Sequence, residues 1–232
     1  MDDSVHVRLV LLRHGQVASH RGDVPLTEAG VDQAVAAGRW FGENNWRLAA
    51  FMHGGTTRAR TTAEHFKAGY DTVTGSAVTA DIENNSALRN PDLYLGGFRV
   101  NMVSSAQDFA DQVPPLGPDE VQASPWYREF LTAKDRVGFW AAHAHPPGET
   151  AHSVGRRIES FTRSLADVPA WDGGVVLGTT HSPVLRSVAL TFLGDEPGEP
   201  SFLHGYSLSL MRSGALHVAK IEPDIDTAVM TN

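Results

Sequence analysis

Three short apolar runs do most to limit what this chain can fold into: residues 7–12 (VRLVLL), 48–53 (LAAFMH) and 175–180 (VVLGTT). None alternates apolar with polar residues. A run of this length without alternation reads as a strand buried on both faces, and such strands belong to parallel sheets covered by helices on both sides. Each run leads into a helical pattern: residues 27–41, with Thr27 as N-cap and Val31, Val35, Gly38 and Phe41 on one stripe; residues 57–67, with Ala59, Ala63 and Phe66 inward; and residues 183–193, opened by Pro183. A further strand is expected at 77–82, a helix at 149–165, and a terminal hairpin from 206–212 and 215–220 through Ser213-Gly214. Alternating strands and helices imply an α/β fold, a three-layer sandwich with a mainly parallel central sheet flanked by helices. One domain over residues 1–232 is expected, with an inserted, lid-like segment at about 84–147. That segment is broken by Asn-Pro, Gly-Gly, Pro-Pro and Gly-Pro pairs and should hold loops, short helices and one longer helix at 125–140.

Composition removes several classes of function. Nineteen basic residues stand against 27 acidic ones, for a net charge of −8. That balance opposes binding to nucleic acid or to an anionic membrane surface, both of which want a basic face. Cysteine is absent, which excludes disulfides, thiolate metal sites and thiol catalysis. No window has the roughly 20 apolar residues of a membrane helix, and the acidic start does not read as a signal peptide. A soluble, cytoplasmic protein is the expectation; oligomeric state is left open.

The strand ends are where chemistry is expected, because ligands of open α/β sheets bind at the carboxyl ends of the strands. The first run ends in Arg13-His14-Gly15, the second in Gly54-Gly55-Thr56-Thr57-Arg58, and the run at 175 in His181-Ser182-Pro183. Two arginines and two histidines are thereby delivered to one rim. Arg58 and Ser182 also lie at expected helix starts, where free N–H groups favour an anion. Arginine matches phosphoryl oxygens bidentately, and a neutral imidazole can attack phosphorus. No G-x-x-x-x-G-K-[ST], H-E-x-x-H or G-x-S-x-G pattern offers a rival chemistry.

Five segments in order, LVLLRHGQ, VPLTEAGVDQA, TTRARTTAEHF, PPGETAHSVGRRIESF and VVLGTTHSPVLRSVAL, resemble the histidine phosphatase superfamily in its phosphoglycerate-mutase-like branch. The resemblance implies that His14 becomes phosphohistidine, that Arg13, Arg58 and His181 hold the phosphoryl oxygens, and that neither metal nor cofactor is needed. Gln16 and Ser182 become candidate phosphate contacts. Two positions depart from the family pattern. His20 stands where the family has a phosphate-contacting Asn. Asn90 stands in the Leu-x-Glu setting of the family's general acid, which leaves Glu83, by its spacing from Arg58, and Asp92, by the local pattern, as the alternatives. The implied activity is hydrolysis of a small phosphorylated substrate. A phosphomutase using the same intermediate and a catalytically weak phospho-ligand binder are the alternatives, the latter because of Asn90; Arg128, Lys134 and Arg136 are the basic residues of the insertion.

Other features carry plainer readings. Glu149 is read as a helix cap, and His143-x-His145 as a solvated loop. The aromatics Tyr94, Trp126, Tyr127, Phe130, Phe139 and Trp140 are read as the insertion's own small core, with a substrate-contacting lid as the alternative.

Overall fold

The computed structural model describes residues 3–19, 22–75 and 81–225. Its six-stranded sheet is built from β1 (Val5–Arg13), β2 (Leu48–His53), β3 (Ile82–Asn84), β6 (Val175–Thr180), β7 (Gly205–Met211) and β8 (Leu216–Ile221), in the order β3-β2-β6-β1-β7-β8. The first four run parallel; β7 and β8 close one edge as an antiparallel hairpin. β1 and β6 pair in register from Arg8↔Val175 to Arg13↔Thr180, so both strands end level at the same rim.

Period-two geometry explains the unbroken apolar runs. Along β1, Val7, Leu9 and Leu11 enter the core on one face, and Val10 and Leu12 enter the core on the other. The second face is covered by α1 (Glu28–Glu43) and α2 (Thr57–Thr74), which contribute Phe41, Phe66 and Tyr70. These helices pack backbone to backbone. A Cβ on Gly38 would lie 1.9 Å from the Phe66 carbonyl, and one on Gly69 would lie 2.1 Å from that of Val35. Thr27 caps α1 by accepting from the Gly30 amide at 3.0 Å. The buried stripe is Ala34, Ala37, Gly38 and Phe41, so the helix is rotated slightly from the stripe read through Val31 and Val35, which are only half-buried.

The first face carries α7 (Ala151–Ser164), α8 (Ser182–Val188) and the insertion. α8 passes into a π-helical turn at Ala189–Leu193. The insertion contains a small hairpin, β4 (Leu93–Leu95) and β5 (Phe98–Val100), and four short helices: α3 (Ala106–Ala110), α4 (Pro118–Ala123), α5 (Pro125–Thr132) and α6 (Arg136–Ala142). The single helix expected at 125–140 is thus two. Asp135 breaks it, capping α6 by accepting from the Gly138 amide at 2.9 Å. Nor does the insertion keep a core of its own. Tyr127, Phe130 and Trp140 join one cluster with Leu9, Leu11 and Val176 of the sheet. Tyr94 stays exposed.

Two local readings are corrected. Thr150, not Glu149, caps α7, accepting from the Ser153 amide at 3.1 Å. Glu149 instead accepts from the Asp92 amide and from Arg157, both at 2.8 Å, which pins the hairpin to α7. The strand expected at 77–82 appears as β3 at Ile82–Asn84; residues 76–80 lie outside the described ones. Among the described residues no helix is long and apolar enough to cross a membrane.

Candidate active site

β1, β6 and α2 bring Arg13, His14, Arg58 and His181 onto the wall of one cavity of about 710 Å³. Arg13 is the last residue of β1, and the His14 amide continues the ladder by donating to the Thr180 carbonyl at 3.0 Å. His181 occupies the N-cap position of α8, and Arg58 lies in the first turn of α2, after the Thr56 cap. Gly15 has no room for a side chain: a Cβ there would lie 2.6 Å from the Gly30 carbonyl. Its amide donates to Thr62 Oγ1 at 2.9 Å, and that hydroxyl donates to the Arg58 carbonyl at 2.7 Å. The histidine loop and the arginine helix are therefore fixed to each other through one buried threonine.

His14 is buried, and its Nδ1 lies 2.8 Å from the Gly15 carbonyl. Donation by Nδ1–H to that oxygen leaves Nε2 with its lone pair, the atom needed for attack. The His181 ring is 5.5 Å away, centroid to centroid. Both nitrogens of His181 are buried without a hydrogen-bond partner. Its pKa is pushed well below the ordinary histidine value, first by burial and then by Arg58 and His14; the Gly54 backbone opposes this, and Arg13 adds a smaller lowering contribution. His181 is accordingly neutral at neutral pH.

The two arginines are held from behind. Arg13 donates to the Pro200 carbonyl at 2.6 Å, pairs with Glu199 at 2.5 Å, and sits 4.2 Å over the Phe202 ring. Arg58 donates to the Gly22 carbonyl at 3.2 Å and faces Asp23 at 3.6 Å. In each, Nε is buried and unpartnered. Burial lowers both guanidinium pKa values, as Glu199 opposes at Arg13 and Asp23 opposes at Arg58. Buried polar groups are nearly always satisfied. Two orphaned guanidinium N–H groups and an unpartnered imidazole around one cavity are a concentrated demand for an anion.

The remaining sequence candidates separate. Ser182 lines the cavity, but its hydroxyl donates to Glu199 at 2.5 Å. Gln16 does not line it; its Oε1 accepts from Thr27 Oγ1 at 2.9 Å, and its amide donates to Gln33. His20 lies outside the described residues. Glu83 is exposed on the edge strand β3 and lines neither this cavity nor the one beside it. Asp92 also lines neither, and Arg89 and Arg99 hold its carboxyl at about 2. A group ionised across the neutral range has no proton to give, so the geometry favours neither carboxylate as an acid. Asn90 does line the cavity, with its Oδ1 buried and unpartnered.

Sequence reasoning missed Glu199, Asp135 and Val137, which line the cavity; of the insertion's basic residues named from the sequence, Lys134 and Arg136 line it and Arg128 does not. Glu199 sits in a loop of turn-forming residues with no local pattern. It is tied to the fold by Arg186, which is fully buried and also pairs with Asp135 and Glu196. A second cavity of about 620 Å³ adjoins the first, sharing Arg58, Asn90, Met102 and Val103, and has a polar wall that includes Arg89, Arg99 and Gln112. Among the described residues no group of three potential metal ligands forms; His143 Nδ1 accepts from the His145 amide at 3.2 Å, and its ring packs against Trp126 and Phe139.

Residues 9–82 match the family model of the histidine phosphatase superfamily (branch 1). A search of curated proteins returned no match. Among solved structures, a phosphoglycerate mutase from Bacillus anthracis aligns with a TM-score of 0.61 at 20% identity, covering 97% of this chain and 96% of the other. A mycobacterial glucosyl-3-phosphoglycerate phosphatase aligns with a TM-score of 0.58 at 20% identity, covering 93% and 97%. A phosphoserine phosphatase mutant from Entamoeba histolytica aligns with a TM-score of 0.56 at 14% identity, covering 94% and 98%. At these identities the likeness is one of fold. The segment similar to the histidine phosphatase superfamily (branch 1) carries the Arg-His-Gly strand end and the Arg58 helix, and the described residues share the fold of these phosphoglycerate mutase and phosphatase structures.

Proposed function

We propose that this protein is a metal-independent phosphatase that hydrolyses a small monosubstituted phosphate through a phosphohistidine at His14. The observation that carries the reading is the set of unsatisfied donors, Arg13 Nε and Arg58 Nε, beside a histidine whose Nδ1 is already engaged. A phosphoryl group seated between the arginines would present phosphorus to His14 Nε2 and place its oxygens against fixed cations. Preorganised cations are worth most where charge develops in a dry site, and in phosphoryl transfer they do most of the work. Neutral His181 can donate a hydrogen bond to a phosphoryl oxygen and, in the second step, accept a proton from the attacking water. Residues of the insertion form the far wall, with Phe130 and Val137 apolar and Lys134 and Arg136 basic, so the lid reading of the insertion is favoured over a self-contained core.

The solved folds include a mutase as well as phosphatases, so the fold does not separate hydrolysis from transfer to an organic acceptor. Phosphate release from p-nitrophenyl phosphate in the presence of EDTA does so. Sustained release supports the proposal. Isotope exchange between phosphorylated sugars or glycerates without release would make the protein a mutase, and phosphate binding without turnover would make it a binder.

A further inference from the structure

Cleaving the bond between phosphorus and an alkyl oxygen leaves an alkoxide unless a proton arrives with it. The cavity wall that holds His14 carries two carboxyl groups among the described residues, Asp135 and Glu199, and both are occupied as acceptors. Asp135 takes both of its oxygens to Arg186, at 2.9 and 2.6 Å, and also accepts from the Gly138 amide. Glu199 pairs with Arg13 at 2.5 Å through one oxygen and accepts from Ser182 Oγ at 2.5 Å through the other. On the wall shared with the adjoining chamber stands Asn90, an amide, which has a dipole and N–H groups but no ionisable proton. Among the described residues of this wall the protonated groups are strong cations, Lys134 and the arginines, and no carboxylic acid is free to give a proton, a combination suited to a leaving oxygen that is content to depart as an anion.

We infer that the substrates of this site are phosphates of acidic oxygens, namely acyl, enol or aryl phosphates, and that alkyl phosphates are poor substrates. The inference rests on the phosphohistidine reading and adds the leaving-group class to it. In the first step His14 Nε2 gives its lone pair to phosphorus, and the P–O bond breaks with its pair left on the departing oxygen. The product is a carboxylate, enolate or phenolate, and no proton moves. In the second step a water oxygen bonds to phosphorus, the P–N pair returns to Nε2, and the water proton passes to His181 and on to solvent. Burial and the adjacent cations keep His181 unprotonated, which suits it to receive that proton and not to supply one in the first step.

The test is kcat/KM, by phosphate release in EDTA, across acetyl, p-nitrophenyl, phenyl and glycerol 2-phosphates. General acid catalysis contributes about 10²–10⁴-fold, so glycerol 2-phosphate should fall at least about 100-fold below acetyl phosphate. Asn90→Glu should raise the glycerol phosphate rate relative to that of acetyl phosphate at least about tenfold, with circular dichroism and urea unfolding showing that the variant is folded. Asp108, in the adjoining chamber, has a buried oxygen without a partner. Asp108→Asn should leave the ranking of the four substrates unchanged. Comparable rates on all four, or a loss confined to glycerol phosphate in Asp108→Asn, would overturn the inference and leave the phosphohistidine reading standing. No turnover of any of the four and no phosphoenzyme would overturn both.

Discussion

Arg186 ties three parts of the molecule to the active-site rim. Its side chain is 0% exposed, and it pairs with Asp135 of the insertion, with Glu196 and with Glu199, whose side chains are 55%, 30% and 49% exposed. Arg186→Met removes the cation and leaves a neutral side chain of similar length. A hydrogen bond to a charged group contributes about 1.5–3 kcal/mol, but the stranded carboxylates are partly solvated and would rehydrate. The net loss should therefore be about 2–3 kcal/mol, well short of the sum over partners. For a chain of this size that lowers Tm by about 5–10 °C. Urea unfolding should show the loss as a lower midpoint with an unchanged slope. Arg186→Lys should recover only part of it, because an ammonium cannot match the bidentate contact to Asp135. Turnover should fall in Arg186→Met, though less than on removing Arg13, since Glu199 keeps its contact with Arg13. A loss below about 1 kcal/mol with turnover intact would refute the claim that this network organises the rim.

His181 titrates below the ordinary histidine value, so on acidification the unfolded chain takes up its proton first. Stability should therefore fall as pH drops through about 6.5, and His181→Gln should flatten that part of the curve, read by urea unfolding between pH 7 and pH 5. Asp92, held at about 2 by Arg89 and Arg99, contributes stability above its ordinary range near 3.8 that is lost as pH falls toward 2. Asp92→Asn should cost about 1–2 kcal/mol at neutral pH, with little change in turnover of p-nitrophenyl phosphate. A large loss of turnover in a stably folded Asp92→Asn protein would restore it as a catalytic candidate. Gly15→Ala forces a Cβ to within 2.6 Å of the Gly30 carbonyl and must shift the His14 loop. It should lower stability by about 1–3 kcal/mol and reduce phosphate release more than any variant outside the cavity.

The parallel strands were legible because burial on both faces leaves an unbroken apolar run, and β2 and β6 start and stop where the runs at 48 and 175 do. The four cavity residues Arg13, His14, Arg58 and His181 were legible for a related reason: each stands at or just past the end of a strand or in the first turn of a helix, so local sequence fixes its position on the rim. What escaped notice depends on contacts between distant segments. Asp135 splits a continuous aromatic spacing into α5 and α6 by capping the second helix, and its carboxylate meets Arg186, 51 residues away. Glu199 reaches Arg13 from a distant part of the sequence, in a loop rich in Gly and Pro. Glu149 looked like a cap because it is an acid before a helix, yet Thr150 takes that place and frees Glu149 for Asp92 and Arg157. The candidate carboxylates, Glu83 from its spacing and Asp92 from the local pattern, show the limit of reading position along the chain. A position along the chain does not say whether a side chain faces a cavity or a pair of arginines.

The central claim is a covalent phosphoryl group on His14 Nε2. Rapid quench of the protein with labelled acetyl phosphate, and then peptide mapping, tests it directly. The account predicts an acid-labile, alkali-stable label on the peptide containing His14, formed and discharged at rates consistent with turnover and absent from a folded His14→Ala protein. Undiminished turnover in His14→Ala, or a label on any other residue, would contradict it.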